Sequence, residues 1–177
     1  MAVWNSGDLT VYHGTDVVSA NLSGVVVGQP VNFNVQLSRC RPATDFGQGF
    51  YTTTSLHQAR QWANSKVRRV RRKNKTLGLV LQFDLDRDWL AVLEALVFVR
   101  AIPEFWDFVT HCRFGGAVHS RRGATAEYDV VYGLVTIWPS LLLILDCDQI
   151  SFHTQRVVGN LPRPTVAAIA SATGGLF

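Results

Sequence analysis

The stretch Asp45-Phe46-Gly47-Gln48-Gly49-Phe50-Tyr51-Thr52-Thr53-Thr54 sets two glycines two positions apart, then aromatic and β-branched residues. Such glycines mark a tight backbone turn, and the residues after them mark a strand. Asp45 is expected to cap the turn, its carboxylate bonding backbone amides two residues on. Directly afterwards Ser55-x-x-Gln58 has the form of a capping box and predicts a helix from Ser55. Leu56, Ala59, Trp62, Ala63, Val67 and Val70 recur at helical spacing and give it one apolar face, with arginines on the rest.

On the N-terminal side, Leu9 to Tyr12 alternates apolar with polar residues and predicts a short strand running into His13-Gly14-Thr15, with the turn beginning at His13. On the C-terminal side, Leu77 to Phe83 predicts a strand. Pro103 to Cys112 predicts a helix with proline in its first turn and Phe105, Trp106 and Phe108 on the core. Tyr128 to Ile137 and Gln149 to His153 predict further strands, and His111 and His153 read as structural. From Gly159 the chain is rich in Gly, Pro, Ala and Ser, which predicts a loosely held tail.

A length of 177 residues suits one domain with one core. With 47% apolar and only 17% charged residues, extensive disorder is excluded. The start, MAVWNSGDLT, has neither a basic nor an apolar leader region, so secretion by that route is not expected. Cys40, Cys112 and Cys147 are odd in number and lack metal-ligand spacing, which predicts buried thiols in a reducing cytosol and no metal. Val130 to Leu145 carries no charge, but it is shorter than the roughly 20 residues a spanning helix needs. Gly133 and Pro139 also interrupt it, so buried strands joined by a turn are expected and no membrane association.

The net charge of +4 is local in origin. Eight of the 17 basic residues lie between Arg60 and Lys75, a stretch without Asp or Glu, leaving nine basic against 13 acidic residues elsewhere. The run is either a solvated helix face or a docking surface for an anionic partner, such as a phosphate backbone or an acidic antitoxin. No aromatic residue other than Trp62 interleaves with it, so base-specific readout is not indicated.

Taken in order, Tyr12-His13-Gly14-Thr15, Phe46 to Tyr51 and Ala59 to Trp62 resemble the NAD-binding half of the poly(ADP-ribose) polymerases and diphtheria-toxin-like transferases. The pattern there is H-G-[ST], G-K-G-[IF]-Y and a small-x-x-aromatic on the next helix. The chain is more similar still to a little-characterised bacterial family with an Asp-Phe-Gly-x-Gly-Phe-Tyr signature, some of whose members are toxins of toxin-antitoxin pairs or toxic tips of larger proteins. Trp106-Asp107-Phe108-Val109, Tyr128 to Gly133 and Asp148 to Thr154 match its later motifs.

The resemblance implies an α/β (α+β) fold: an ADP-ribosyltransferase-like split β-sandwich of two antiparallel sheets with flanking helices over residues 1–158, with 159–177 as the tail. It implies NAD as co-substrate and a mono-ADP-ribosyltransferase of the bacterial toxin or effector type, acting in the cytoplasm on a protein or nucleic acid. Carried over by position, His13 would bind the adenine-side ribose and Gly14 the nicotinamide carboxamide. Tyr51 and Trp62 would flank the nicotinamide ring, with Thr15, Asp45, Gly47 and Gly49 completing the cofactor-binding set. Trp62 also fits the apolar face of its helix, so a core role stays open.

Cleaving the nicotinamide bond develops positive charge on a ribose, and a polar or anionic group must stabilise it. Here the chain departs from the pattern. Ala59 stands where the polymerases often have Ser, Gln48 where the glycine turn has Lys, and the third catalytic position, usually Glu, is open between two residues. Gln149 opens the last strand signature and is preferred. Glu127 precedes Tyr128-Asp129-Val130-Val131-Tyr132, similar to the polymerases' Glu-Tyr-Ile-Val-Tyr. A Gln hydrogen-bonds a ribose hydroxyl but neither offsets the charge nor acts as a base. Slow mono-ADP-ribosyl transfer, an NAD glycohydrolase, or a non-catalytic module binding NAD, ADP-ribose or a partner are the outcomes this allows.

Overall fold

The computed structural model describes residues 7–70, 76–115, 119, 127–171 and 175–177. In chain order the elements are β1 (Leu9–Asp16), β2 (Phe50–Thr52), α1 (Leu56–Val70), β3 (Gly78–Leu85), α2 (Arg87–Ala91), β4 (Ala95–Val97), α3 (Pro103–Arg113), β5 (Val130–Ile137), β6 (Leu142–Phe152), α4 (Gln155–Val158) and β7 (Thr165–Ile169). The fold is therefore mixed α and β, with four helices and two sheets among the described residues. The expected single core is replaced by two compact units. One is drawn from Met1–Phe33, Thr54–Leu93 and Leu161–Phe177, the other from Asn34–Thr53 and Glu94–Asn160.

The first unit holds an antiparallel sheet of order β1-β3-β7. β3 buries Leu79, Leu81, Phe83 and Leu85 on one face and Val80 on the other, where Gln82 is half-buried and Asp84 exposed. α1 begins at its predicted position, where the Gln58 N–H bonds Ser55 Oγ at 3.3 Å, and it buries Ala59, Ala63 and Val67 completely. Ala59 and Ala63 pack with Val80 and Ala168. β1 does not end before His13. It continues to Asp16 because β3 offers ladder partners for the whole stretch, pairing His13 with Leu81 and Asp16 with Gly78. The chain turns only afterwards, where Asp16 Oδ1 accepts from the Ser19 N–H at 3.0 Å and Thr76 Oγ1 at 2.7 Å.

The expected loose tail is also corrected. Residues 165–169 form β7 on the free edge of β3, with Val166 and Ala168 turned inward. The Gly78 N–H bonds the Gly175 carbonyl at 3.0 Å, and the Phe177 N–H bonds Asn64 Oδ1 at 2.8 Å. The guanidinium of Arg60 lies 5.7 Å from the centre of the Phe177 ring.

The second unit holds a sheet of order β2-β6-β5-β4. β4 runs parallel to β5, so this sheet is mixed and not antiparallel throughout as expected. α3 starts at Pro103 as predicted and presents Phe105, Phe108, Val109 and Cys112 to a core with Phe46, Phe98 and Val131. The hairpin of β5 and β6 is less buried than its charge-free sequence suggested. Leu134 pairs with Asp148 and Thr136 with Leu143, so residues 144–147 bulge opposite a single residue. Leu141, Leu142, Ile144 and Leu145 are exposed there. Of the three free cysteines only Cys112 is buried, while Cys40 and Cys147 are half-buried. Among the described residues no helix is long and apolar enough to cross a membrane.

Candidate functional site

The glycine turn of the second unit is fastened through three consecutive carbonyls. His119 Nε2 reaches the Phe46 carbonyl at 2.7 Å, the Tyr51 hydroxyl donates to Gly47 at 2.9 Å, and His153 Nδ1 reaches Gln48 at 2.9 Å. The Tyr51 oxygen in turn accepts from the Phe46 N–H at 2.9 Å and Thr44 Oγ1 at 2.7 Å. Gly47 has φ of 79°, a left-handed conformation that favours glycine. At Gly49 a Cβ would lie 2.6 Å from the His153 ring. Gly47 is therefore favoured by the turn's backbone, and Gly49 by the close approach of His153. Burial raises the Tyr51 phenol well above its ordinary range and keeps it a neutral donor. Its ring is held against Phe46 at 6.4 Å and His153 at 6.3 Å.

Asp45 does not cap this turn through nearby amides. Its carboxylate is 3% exposed and takes Arg113 Nε at 2.9 Å and Nη2 at 2.5 Å, the Thr136 N–H at 3.0 Å and Oγ1 at 2.6 Å, and Gln149 Nε2 at 2.7 Å. One buried charge thus ties the turn to α3, β5 and β6, and the favourable geometry of several donors offsets its desolvation. Gln149 gives its second N–H to the Leu134 carbonyl at 2.8 Å and is 4% exposed. The residue preferred for the third catalytic position therefore spends its donors holding Asp45 and the sheet. Glu127, the rival, is exposed. Gln48, which replaces the Lys of the related pattern, bonds the Leu37 and Cys40 carbonyls at 2.9 and 3.0 Å. Burial, with the Asp45 charge adding to it, pushes the Cys112 thiol up to about 12, so it is no nucleophile.

A carbonyl only accepts, so the bonds to Phe46 and Gln48 put the protons on His119 Nε2 and His153 Nδ1. His153 Nε2 then accepts from Ser151 Oγ at 2.7 Å, while His119 Nδ1 is buried without a partner among the described residues. The Ser151–His153 pair has the spacing of a nucleophile and its base, but Ser151 is fully buried from solvent. The two rings meet at 4.0 Å. Burial, then the neighbouring His119, push His153 down to about 3 against the pull of the Gln48 carbonyl, and burial lowers His119 as well.

Burial favours the neutral form of both histidines in the folded protein, whereas each titrates near 6.5 when unfolded. Their contribution is complete above that pH and is lost as pH falls below it, at about 1.4 kcal/mol per pH unit for His153, with His119 acting in the same direction. Urea titrations at pH 7.5 and 5.5 should show this loss, and His153→Gln should reduce it. A pH-independent midpoint over that window would show that the histidines are not buried neutral.

In the first unit His13 lies mid-strand and half-buried, its ring 6.0 Å from Phe33. Thr15 is buried on the same strand. A Cβ on Gly14 would lie 2.0 Å from the Ala59 carbonyl oxygen, so β1 and the α1 backbone are in direct contact and Gly14 is required by packing. Trp62 is half-buried on α1. The structure brings Tyr51, Gly47 and Gly49 into one fastened turn and joins Asp45 to Gln149. Sequence reasoning missed Arg113, Thr136 and His119, whose roles arise from partners distant in the chain. Among the described residues no group of three or more His, Cys, Asp or Glu is arranged to hold a metal.

A family model described as Protein of unknown function (DUF3990) matches residues 9–137. No curated protein and no solved structure matches the chain.

Proposed function

The chain belongs to the DUF3990 family, and we propose that it is an NAD-dependent mono-ADP-ribosyltransferase of the bacterial toxin or effector type with an ADP-ribosyltransferase-like fold. The observation that carries this reading is an ordered set of elements: His13-Gly14 on β1, a Gly47-x-Gly49-x-Tyr51 turn leading into β2, and Trp62 on α1. In this reading His13 holds the adenine-side ribose, the Gly14 backbone meets the carboxamide, and Tyr51 and Trp62 face the nicotinamide ring. The bonds that immobilise Tyr51 support its role, since a ring fixed beforehand loses little entropy on stacking.

We assign the anionic role to Glu127, because Gln149 carries no charge and its amide is bonded to Asp45 and Leu134. Its carboxylate offsets the charge developing on the ribose as the C1′–N bond breaks and nicotinamide leaves with the bonding pair. The acceptor's nucleophile then bonds C1′ and gives up its proton to the same carboxylate. Water as acceptor gives the glycohydrolase outcome.

Calorimetric titration with NAD tests the binding half of the proposal. Wild-type protein should bind NAD, and His13→Ala should weaken binding about tenfold, the value of roughly one charge-free hydrogen bond set lost from the ribose. Arg163→Ala, at an exposed position between α4 and β7 that has no part in the proposed site, should leave it unchanged. Absence of NAD binding by the wild type, or equal affinity in His13→Ala, would remove the reading.

A further inference from the structure

We propose that the exposed face of α1 is a binding surface for the phosphate backbone of nucleic acid. The described part of the helix carries Arg60, Lys66, Arg68 and Arg69 and no acidic residue. All four are exposed, and among the described residues Lys66, Arg68 and Arg69 have no acidic partner within ion-pairing distance. Arg60 is engaged with the Phe177 ring. The helix cannot roll to hide these charges, because Ala59, Ala63 and Val67 are fully buried and the Ala59 carbonyl is pressed against Gly14. Arg71, Arg72, Lys73 and Lys75 follow in sequence and lie outside the described residues.

The character of the face selects the partner. Its exposed described side chains are His57, Arg60, Gln61, Lys66, Arg68 and Arg69, with no aliphatic, Phe, Tyr or Trp side chain among them. Protein interfaces are built around a desolvated apolar or aromatic centre, which this face lacks. Nucleic-acid interfaces are polar and strongly positive, and they gain affinity by releasing the counterions of phosphates. The contacts assigned here are those of charge with phosphate, which carry no sequence information, so binding is independent of sequence. The inference does not depend on the NAD reading.

The test is fluorescence anisotropy of a labelled, mixed-sequence single-stranded oligonucleotide with the full chain. Three neutralised phosphates give a logarithmic salt slope of about −2. Replacing Lys66, Arg68 and Arg69 together by Glu should weaken binding more than about tenfold and flatten the slope, with the thermal midpoint retained. If the reversed protein does not fold, the Lys66→Gln, Arg68→Gln, Arg69→Gln variant gives the same readout. Oligonucleotide binding that is absent, salt-independent or unchanged by substitution would overturn the assignment. So would a polyglutamate of equal length that binds as tightly, since that would place an acidic protein on this face.

Discussion

Asp45→Ala lowers the stability of the protein by about 3–5 kcal/mol, the usual cost of removing one partner of a buried charge pair. The carboxylate is 3% exposed and receives bonds from Arg113, Thr136 and Gln149. Its loss leaves the Thr136 N–H and a Gln149 donor without partners inside the second unit, and each such orphan costs about 1–3 kcal/mol. Arg113 is 24% exposed and recovers part of its hydration, which keeps the total near the lower end. Thermal melting should show a midpoint lower by about 10 °C. The double substitution with Arg113→Ala should cost less than the two singles added, because the second removes a charge already unpaired. A loss below about 1 kcal/mol would return Asp45 to the minor role of a turn cap.

Gly14→Ala is the second large effect. The added Cβ would stand 2.0 Å from the Ala59 oxygen and 2.9 Å from the Ala63 nitrogen. Both are backbone atoms of a helix, so neither can swing aside as a flexible side chain would. Either α1 slides off the sheet or β1 gives up ladder bonds, at a cost of about 3 kcal/mol. Urea denaturation measures it, and Gly7→Ala, where nothing lies within 4 Å of the new atom, is the control that should leave the midpoint unchanged. Equal stability of Gly14→Ala and wild type would mean that α1 is not seated on β1.

What the sequence made legible was local. The glycine turn, the helix from Ser55 and the α3 aromatics each depend on neighbours a few positions apart, through backbone freedom, capping and helical spacing. What it hid depends on partners far along the chain. The expectation of a turn at His13 failed because the ladder that extends β1 comes from β3, which pairs Asp16 with Gly78. Asp45 was given amides two residues on, whereas its donors Thr136 and Gln149 lie 91 and 104 positions away. His119 carries no local pattern and gains its role only by reaching Phe46, 73 positions before it. β7 was hidden by a short, weakly contrasted run, Thr165 to Ile169, that becomes a strand because β3 has an open edge. In the candidate site, His13, Tyr51 and Trp62 could be singled out by order and spacing. That Gln149 serves Asp45 could not be, since a Gln on a strand has the same local signature in either role.

The most direct measurement is the fate of NAD labelled separately in its nicotinamide and adenylate halves, incubated with the protein and a bacterial lysate. The expected result is free nicotinamide together with adenylate label on a protein or nucleic-acid acceptor, and a rate lower by about 10²–10⁴-fold in Glu127→Gln, the usual worth of a positioned acid–base group. Label that neither transfers nor yields free nicotinamide, from protein that calorimetry shows to bind NAD, would contradict catalysis and leave a binding module. A Glu127→Gln protein as active as wild type would contradict the assignment of the anionic role.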